Sequence, residues 1–177
     1  RTRRPVPAAA QSWIAQPLIR GAAVSVGALC HPGRGVHEML PVAAQHLSDD
    51  GRFRYLGGRI PWDDRRSAEV QDAVRRACRM LPDLAGYVGF DVVVPDTGAE
   101  PPLVVEINPR LCTSYLGYRR LAADNLAARL LQPAPRNAPI RWKTGSTSFL
   151  PDGQAKCETK SSPVPVNSGV GSVQAGE

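Results

Sequence analysis

Lysine, aromatic residues and long apolar runs are all scarce in this chain, and each scarcity closes off a function. No apolar stretch approaches the roughly 20 residues that span a bilayer, and no charged-then-apolar leader opens the sequence. A membrane partner is therefore not expected, and a reducing cytoplasm is the default setting. Cys30, Cys78, Cys112 and Cys157 show no C-x-x-C spacing, which argues against a thiolate metal site and a disulfide scaffold alike. Cys78 falls in an apolar helical stripe and reads as a core thiol. None of the histidines, His31, His37 and His46, is spaced with an acid as a metal set would be. Only 3 of the 22 basic residues are lysines, so arginine carries the net charge of +6. Arg1, Arg3 and Arg4 form one cluster, and Arg65, Arg66, Arg75, Arg76 and Arg79 another. Nucleic-acid binding is the tempting reading of such clusters. The second, however, lies on a predicted helix whose other face is apolar, with no aromatic interleaved. A solvated helix face is the expectation, and nucleic acid is not a predicted partner.

What the chain does have is concentrated in Leu103–Arg119, LVVEINPRLCTSYLGYR. Leu103, Val104 and Val105 have the β-branched, apolar character of a buried strand. Glu106 and Asn108 follow, two residues apart and so on one face, with Ile107 on the other. Pro109 ends the strand because it has no N–H for a ladder. A carboxylate and an amide oxygen side by side, with Arg110 next to them, make a hard-oxygen site suited to Mg²⁺ and a polyphosphate. The other reading is a strand end whose polar side chains simply meet water.

Upstream, Tyr87–Val94 (YVGFDVVV) is a second strand with one acid, Asp91, embedded in it. A carboxylate inside an apolar strand is costly unless something compensates it. The segment Pro95–Pro102 is short and rich in turn residues, so the two strands are expected to form an antiparallel hairpin. Pairing across it would bring Asp91 near Glu106 and Asn108, and two carboxylates so close repel unless a divalent cation lies between them.

The pattern G-F-D-V-V-V, a turn, then V-V-E-I-N-P-R resembles the C-terminal catalytic half of the ATP-grasp superfamily. The continuation N-P-R-L-C-T-S-Y-L-G-Y-R is closer still to a subgroup of carboxylate–amine ligases resembling tyramine–glutamate ligase, with Cys112 in place of a Thr. The likeness extends to Leu47–Gly58 and Arg141–Gly153 and so covers most of residues 12–153. It implies an α/β (α+β) fold: a mostly antiparallel sheet covered by two helices, with an incomplete small subdomain. It also implies ATP with Mg²⁺, or Mn²⁺, held by Asp91, Glu106 and Asn108, and Arg110 as the catalytic cation. Gln16, Pro17, Leu18 and Ile19 would form the hinge that meets adenine, and Val105 would pack on the adenine face. Ala23 departs from the pattern, because many members carry a Glu there for the ribose.

The same resemblance puts the loop at Arg52–Gly58 beside an acceptor substrate. Arg52 and Arg54 can meet a carboxylate, and Gly57 and Gly58 permit close backbone approach. The alternative is an ordinary hairpin loop with solvated arginines. The implied reaction joins a small-molecule carboxylate to an amine through an acyl phosphate. Family members hold phosphates with lysines upstream of the hinge, whereas Lys143, Lys156 and Lys160 all lie downstream. Since the sequence also begins without Met, the expectation is a C-terminal piece of a longer ligase, inactive alone and lacking its N-terminal half. A non-catalytic nucleotide-binding or scaffolding module is the second reading, and an arginine-rich nucleic-acid binder a distant third.

The remaining elements are read from periodicity and turn chemistry. Residues 1–11 are irregular, 12–153 form the one domain, and 154–177 have the composition of a disordered tail. Val24–Leu29 alternates as a half-buried strand, and Val36–Leu47 reads as a strand pair. Ser67–Leu81 is the clearest helix, capped by Ser67 and stopped by Pro82. A second runs from about Ser114 to Leu131, capped by Thr113 or Ser114, with its positive end toward the proposed metal site. Ile140–Phe149 is the last predicted strand.

Overall fold

The computed structural model describes residues 15–33, 35–131 and 138–158. The predicted irregular start at residues 1–11 and most of the predicted tail lie outside them. Eight strands among the described residues form one antiparallel sheet. Strand β1 (Gly21–His31) is its spine, because its apolar alternation is buried on both faces. Along one edge it pairs continuously with β5 (Gly86–Pro95), from Gly21 opposite Pro95 to Cys30 opposite Gly86. Along the other it pairs first with β3 (Ala43–Leu47) and then with β2 (Gly35–Met39). The sheet continues from β3 through β4 (Tyr55–Ile60) and β7 (Ser146–Phe149) to β8 (Ala155–Glu158). On the opposite side β6 (Leu103–Asn108) pairs with β5 and ends the sheet.

Strand alternation divides β1 into two unlike faces. Val24, Val26, Ala28 and Cys30 join Val88, Phe90, Val92 and Val94 of β5 in one core. Helix α1 (Ser67–Met80) covers it with Val70, Val74 and Cys78, which recur at helical spacing. On its other face β1 presents small residues from Gly21 through Ala23 and Ser25 to Gly27, and then the buried Leu29. Helix α2 (Ser114–Leu121) covers just the Gly27 end of that face. There the fully buried Tyr118 accepts a hydrogen bond from the Gly27 N–H at 3.2 Å and donates one to the Pro41 carbonyl at 2.7 Å. This hydroxyl fills the gap in the ladder where β1 passes from β3 to β2. The Ser25 end is left open.

Several sequence expectations are corrected. The strands predicted as a pair within Val36–Leu47 do not pair with each other but both with β1, separated by Pro41, which has no N–H to offer. The single helix predicted to Leu131 is broken into α2 and α3 (Leu126–Leu130). Asp124 and Asn125 explain the break: Asn125 caps α3 by accepting from the Ala128 N–H at 3.1 Å, and Asp124 accepts from the Arg141 N–H at 2.9 Å. At the start of α2, Thr113 occupies the N-cap position without a side-chain bond. Ser67 does not cap α1; its hydroxyl donates to the Trp62 carbonyl, and Arg66 is the N-cap residue. Of Ile140–Phe149 only the last four residues join the ladder, and β8 forms inside the stretch expected to be disordered. No helix among the described residues is long and apolar enough to cross a membrane.

Arg66 is the largest correction to the picture of a solvated arginine face. It is only 8% exposed. Its guanidinium donates to the carbonyls of Pro95 at 2.9 Å and Glu100 at 2.6 Å, and to the Glu69 carboxylate at 3.1 Å. Helix α1 is thereby clamped to the turn of the β5–β6 hairpin. Arg66→Met should lower the unfolding free energy by roughly 1–3 kcal/mol, because charge-assisted bonds to two carbonyls are lost. Urea melts check this, and a change under about 0.5 kcal/mol, the range of ordinary surface substitutions, would contradict the clamp.

Candidate active site

The β5–β6 hairpin sets Asp91 directly opposite Glu106, Phe90 opposite Ile107, and Gly89 opposite Asn108. Phe90 and Ile107 point into the α1-covered core. Asp91, Glu106 and Asn108 therefore share the opposite face, at the open end of the small-residue floor, where Ser25 pairs with Asp91. The three predicted oxygen donors are brought together. Asp91 is half-buried, Glu106 exposed and Asn108 buried. Burial pushes the Asp91 carboxyl above its ordinary 3.8, and the Glu106 carboxylate opposite adds to the rise, against the pull of a Gln45 hydrogen bond and the Arg110 charge. Gln45 Nε2 donates to Asp91 Oδ1 at 2.7 Å. Arg110 donates to Asn108 Oδ1 at 3.2 Å, which leaves that carbonyl a second lone pair.

Among the described residues no three His, Cys, Asp or Glu side chains gather as a metal set. The donors here are instead two carboxylates and one carboxamide, all hard oxygens of the type that Mg²⁺ and Mn²⁺ take. A cation held between Asp91 and Glu106 would relieve their cross-strand repulsion. The set fits a divalent ion.

Two adjoining cavities meet at this point. A polar one of about 430 Å³ is lined by Asp91, Glu106, Asn108 and Arg110, with Ser25 as floor and Thr113 and Ser114 at the start of α2. An apolar one of about 270 Å³ is lined by Pro17, Leu18, Ile19, Ala23 and Val105. Leu47 and Phe53 line both. Gln16 is exposed and outside the lining, so of the predicted hinge only Pro17–Ile19 faces the cavity.

A β-bulge makes this junction possible. Strict alternation would send Val105 to the core face beside Ile107. The pairing jumps instead from Asp91–Glu106 to Val92–Val104, and Val105 is left over. Val104 packs on the core while Val105, 58% exposed, joins Glu106 on the outer face. One extra residue thus re-aims a side chain toward the apolar cavity.

The predicted acceptor loop is placed differently. Arg54 is tied back to Asp50 at 2.9 Å, and the Arg52 N–H donates to the same carboxylate at 3.1 Å. Neither arginine lines either cavity. Gly57 and Gly58 do permit close approach, but by the chain itself: added side chains would meet the Phe149 carbonyl and the Ala44 carbonyl and Phe149 ring respectively. The residue in this turn that reaches the site is Phe53, held at φ 52° by the Asp50-centred turn. An aromatic residue in that left-handed region is strained, as at many functional sites.

Sequence reasoning also missed Gln45, Leu47, Tyr55 and Cys112, all of which line the polar cavity. Gln45 and Leu47 carried a signal, since they stand two apart on one strand. Cys112 lies over Gly89, where any β-carbon would collide with its sulfur. Burial, then the Asp91 charge, raise its thiol pKa.

The profile of the ATP-grasp domain family matches residues 1–114. Tyramine–L-glutamate ligase of Methanocaldococcus jannaschii is 26% identical over 142 residues, 80% of this chain and 42% of that protein. The enzyme of the same name from Methanocaldococcus fervens is 26% identical over 139 residues, 78% of this chain and 43% of that one. This chain therefore spans about two fifths of these relatives. Among solved structures, a putative ATP-grasp superfamily protein from Archaeoglobus fulgidus superposes with a TM-score of 0.56 at 27% identity, covering 74% of this chain and 39% of that one. An L-amino acid ligase from Bacillus licheniformis superposes at 0.57 with 19% identity over 74% of this chain and 35% of that one, and shares the fold.

The raised Asp91 pKa has a definite sign in stability. Between the ordinary carboxyl range and the raised value, the folded metal-free protein binds a proton that the unfolded chain has released. Its stability therefore falls as pH rises through that window. Asp91→Asn removes this slope, so the variant should gain stability relative to the parent as pH rises, in metal-free thermal melts. Millimolar Mg²⁺ should flatten the parent's profile. Parallel profiles for the two proteins without metal would contradict the placement of Asp91.

Proposed function

The chain belongs to the ATP-grasp family, and we propose that it is the ATP- and Mg²⁺-binding part of a carboxylate–amine ligase. The observation that carries this reading is the junction of two cavities, one offering three converging oxygens and an arginine, the other apolar. That pairing suits a nucleoside triphosphate, with its base between Pro17–Ile19, Val105 and Phe53 and its phosphates toward Asp91, Glu106 and Asn108.

Held by Asp91, Glu106 and Asn108, Mg²⁺ would supply charge neutralisation for the triphosphate. The chain's own groups do the rest. Arg110, beside Asn108 in the polar cavity, would pair with phosphoryl oxygens as the γ-phosphoryl group moves to a substrate carboxylate and ADP leaves. The amino end of α2, whose Thr113 and Ser114 line the same cavity, adds positive potential where the acyl phosphate forms. Attack by an amine nitrogen on the acyl carbon then expels phosphate and forms the amide. Such chemistry rests on positioning and electrostatics more than on a dedicated nucleophile. The coverage of about two fifths of the relatives supports a division of labour in which ligation needs the region this chain does not span. A cytoplasmic setting, where MgATP is held, completes the reading. A module that binds nucleotide without catalysis is the second reading, favoured if the full-length protein carries no phosphate-binding lysines ahead of the hinge.

Isothermal titration of MgATP into the full-length protein tests the site. Glu106→Gln should weaken binding at least about tenfold, as loss of a charged cation ligand does. Phe53→Ala should weaken it about fivefold, equivalent to roughly 1 kcal/mol of lost apolar burial, while leaving Mn²⁺ affinity unchanged. Glu106→Gln binding MgATP as well as the parent would overturn the reading. Amide formation from candidate acids and amines then separates ligase from non-catalytic module.

A further inference from the structure

We propose that Gln45 is a positioning residue for the divalent-cation site, acting by holding Asp91 in the orientation that faces Glu106. The proposal rests on the reading of Asp91, Glu106 and Asn108 as a cation site, and it concerns a residue two strands away from that set.

The geometry is specific. Strand β1 lies between β3 and β5, and its Ser25 pairs with Ala43 on one edge and Asp91 on the other. Gln45, two residues beyond Ala43, stands on the same face of β3. To reach Asp91 it must cross β1, a span of about two interstrand spacings or roughly 9.6 Å between backbones. It does so above Ser25, a small buried side chain that leaves the path open. The bond it makes, Nε2 to Asp91 Oδ1 at 2.7 Å, is partly buried. The side chain also lines the polar cavity.

Only a long, neutral donor meets these requirements together. A glutamate would add a third negative charge to a face that already opposes two. A lysine or arginine would place a fixed cation beside Asp91 and compete with a metal ion for it. A carboxamide engages one oxygen of Asp91 and leaves the charge of the set unchanged. Without it, repulsion from Glu106 favours rotamers that turn the Asp91 carboxylate away from its partner. Groups that orient metal ligands in this way typically alter metal affinity by about 10- to 100-fold.

Mn²⁺ is the probe, with the free ion counted by electron paramagnetic resonance on the full-length protein. Gln45→Met keeps the length and removes the donor. It should raise the Mn²⁺ dissociation constant roughly 10- to 100-fold with an unchanged circular dichroism spectrum. In an Asp91→Asn background the same substitution should change it less than about twofold, because residues acting as a unit are not additive. If Gln45→Met does not fold, Gln45→Asn, which is too short to cross β1, should show the same loss and the same dependence on Asp91. Either variant binding Mn²⁺ as tightly as the parent, or losing equally in both backgrounds, overturns the role of Gln45 while the cation site stands. A parent protein that binds no Mn²⁺ overturns the cation site itself, and this proposal with it.

Discussion

Two acidic side chains facing each other across an antiparallel strand pair are the constraint on which the structure turns. Like charges in that position destabilise a sheet, so the rest of the molecule has to hold them there. It does so from beneath and from the end. Of the neighbours of Asp91 and Glu106, Phe90 is buried in the α1-covered core and Ile107 packs against it. A one-residue slip would exchange core and site faces and bury a carboxylate. At the hairpin's turn, Arg66 ties the backbone to the first residues of α1. The repulsion is thus fixed in place rather than avoided, which is the arrangement expected where a cation is to be received.

The remainder of the site follows from how the opposite face of the sheet is divided. The small side chains of Gly21, Ala23, Ser25 and Gly27 make a shallow floor along β1. Helix α2 fills one end of it and the other end stays open. Polarity then changes along the open stretch, from the oxygen donors at Ser25 to the apolar walls at Ala23 and Gly21. The bulge that turns Val105 outward lies at this change, so one backbone irregularity sets an apolar side chain beside the Glu106 carboxylate on the same face. A chain that spans about two fifths of its relatives thus carries both adjoining cavities within itself.

The parts of this site legible in the sequence were those set by local rules. Alternation along β6 places Glu106 with Asn108, and the turn residues after Val94 fold Asp91 back toward them. Apolar period, with Pro82 beyond its end, identified α1. What stayed hidden depended on contacts distant in sequence. Gln45 meets Asp91 only because β1 lies between their strands, an order that no local pattern encodes. The bulge at Val105 breaks the alternation that sequence reading relies on. Arg66 looked like part of a solvated row, because its two carbonyl partners lie some 30 residues downstream. At Gly57 and Gly58 the close approach is made by Phe149 and Ala44 of the neighbouring strands, which lie far from them in sequence. Asp124 and Asn125 were available as helix-breaking signals inside the long predicted helix, and the apolar periodicity around them masked their capping chemistry.

The most direct measurement of the central claim is anomalous diffraction from crystals of the protein soaked in millimolar Mn²⁺. The predicted result is an ion peak bounded by carboxylate oxygens of Asp91 and Glu106 and the amide oxygen of Asn108. Mn²⁺ found only elsewhere, with none between Asp91 and Glu106, would contradict it.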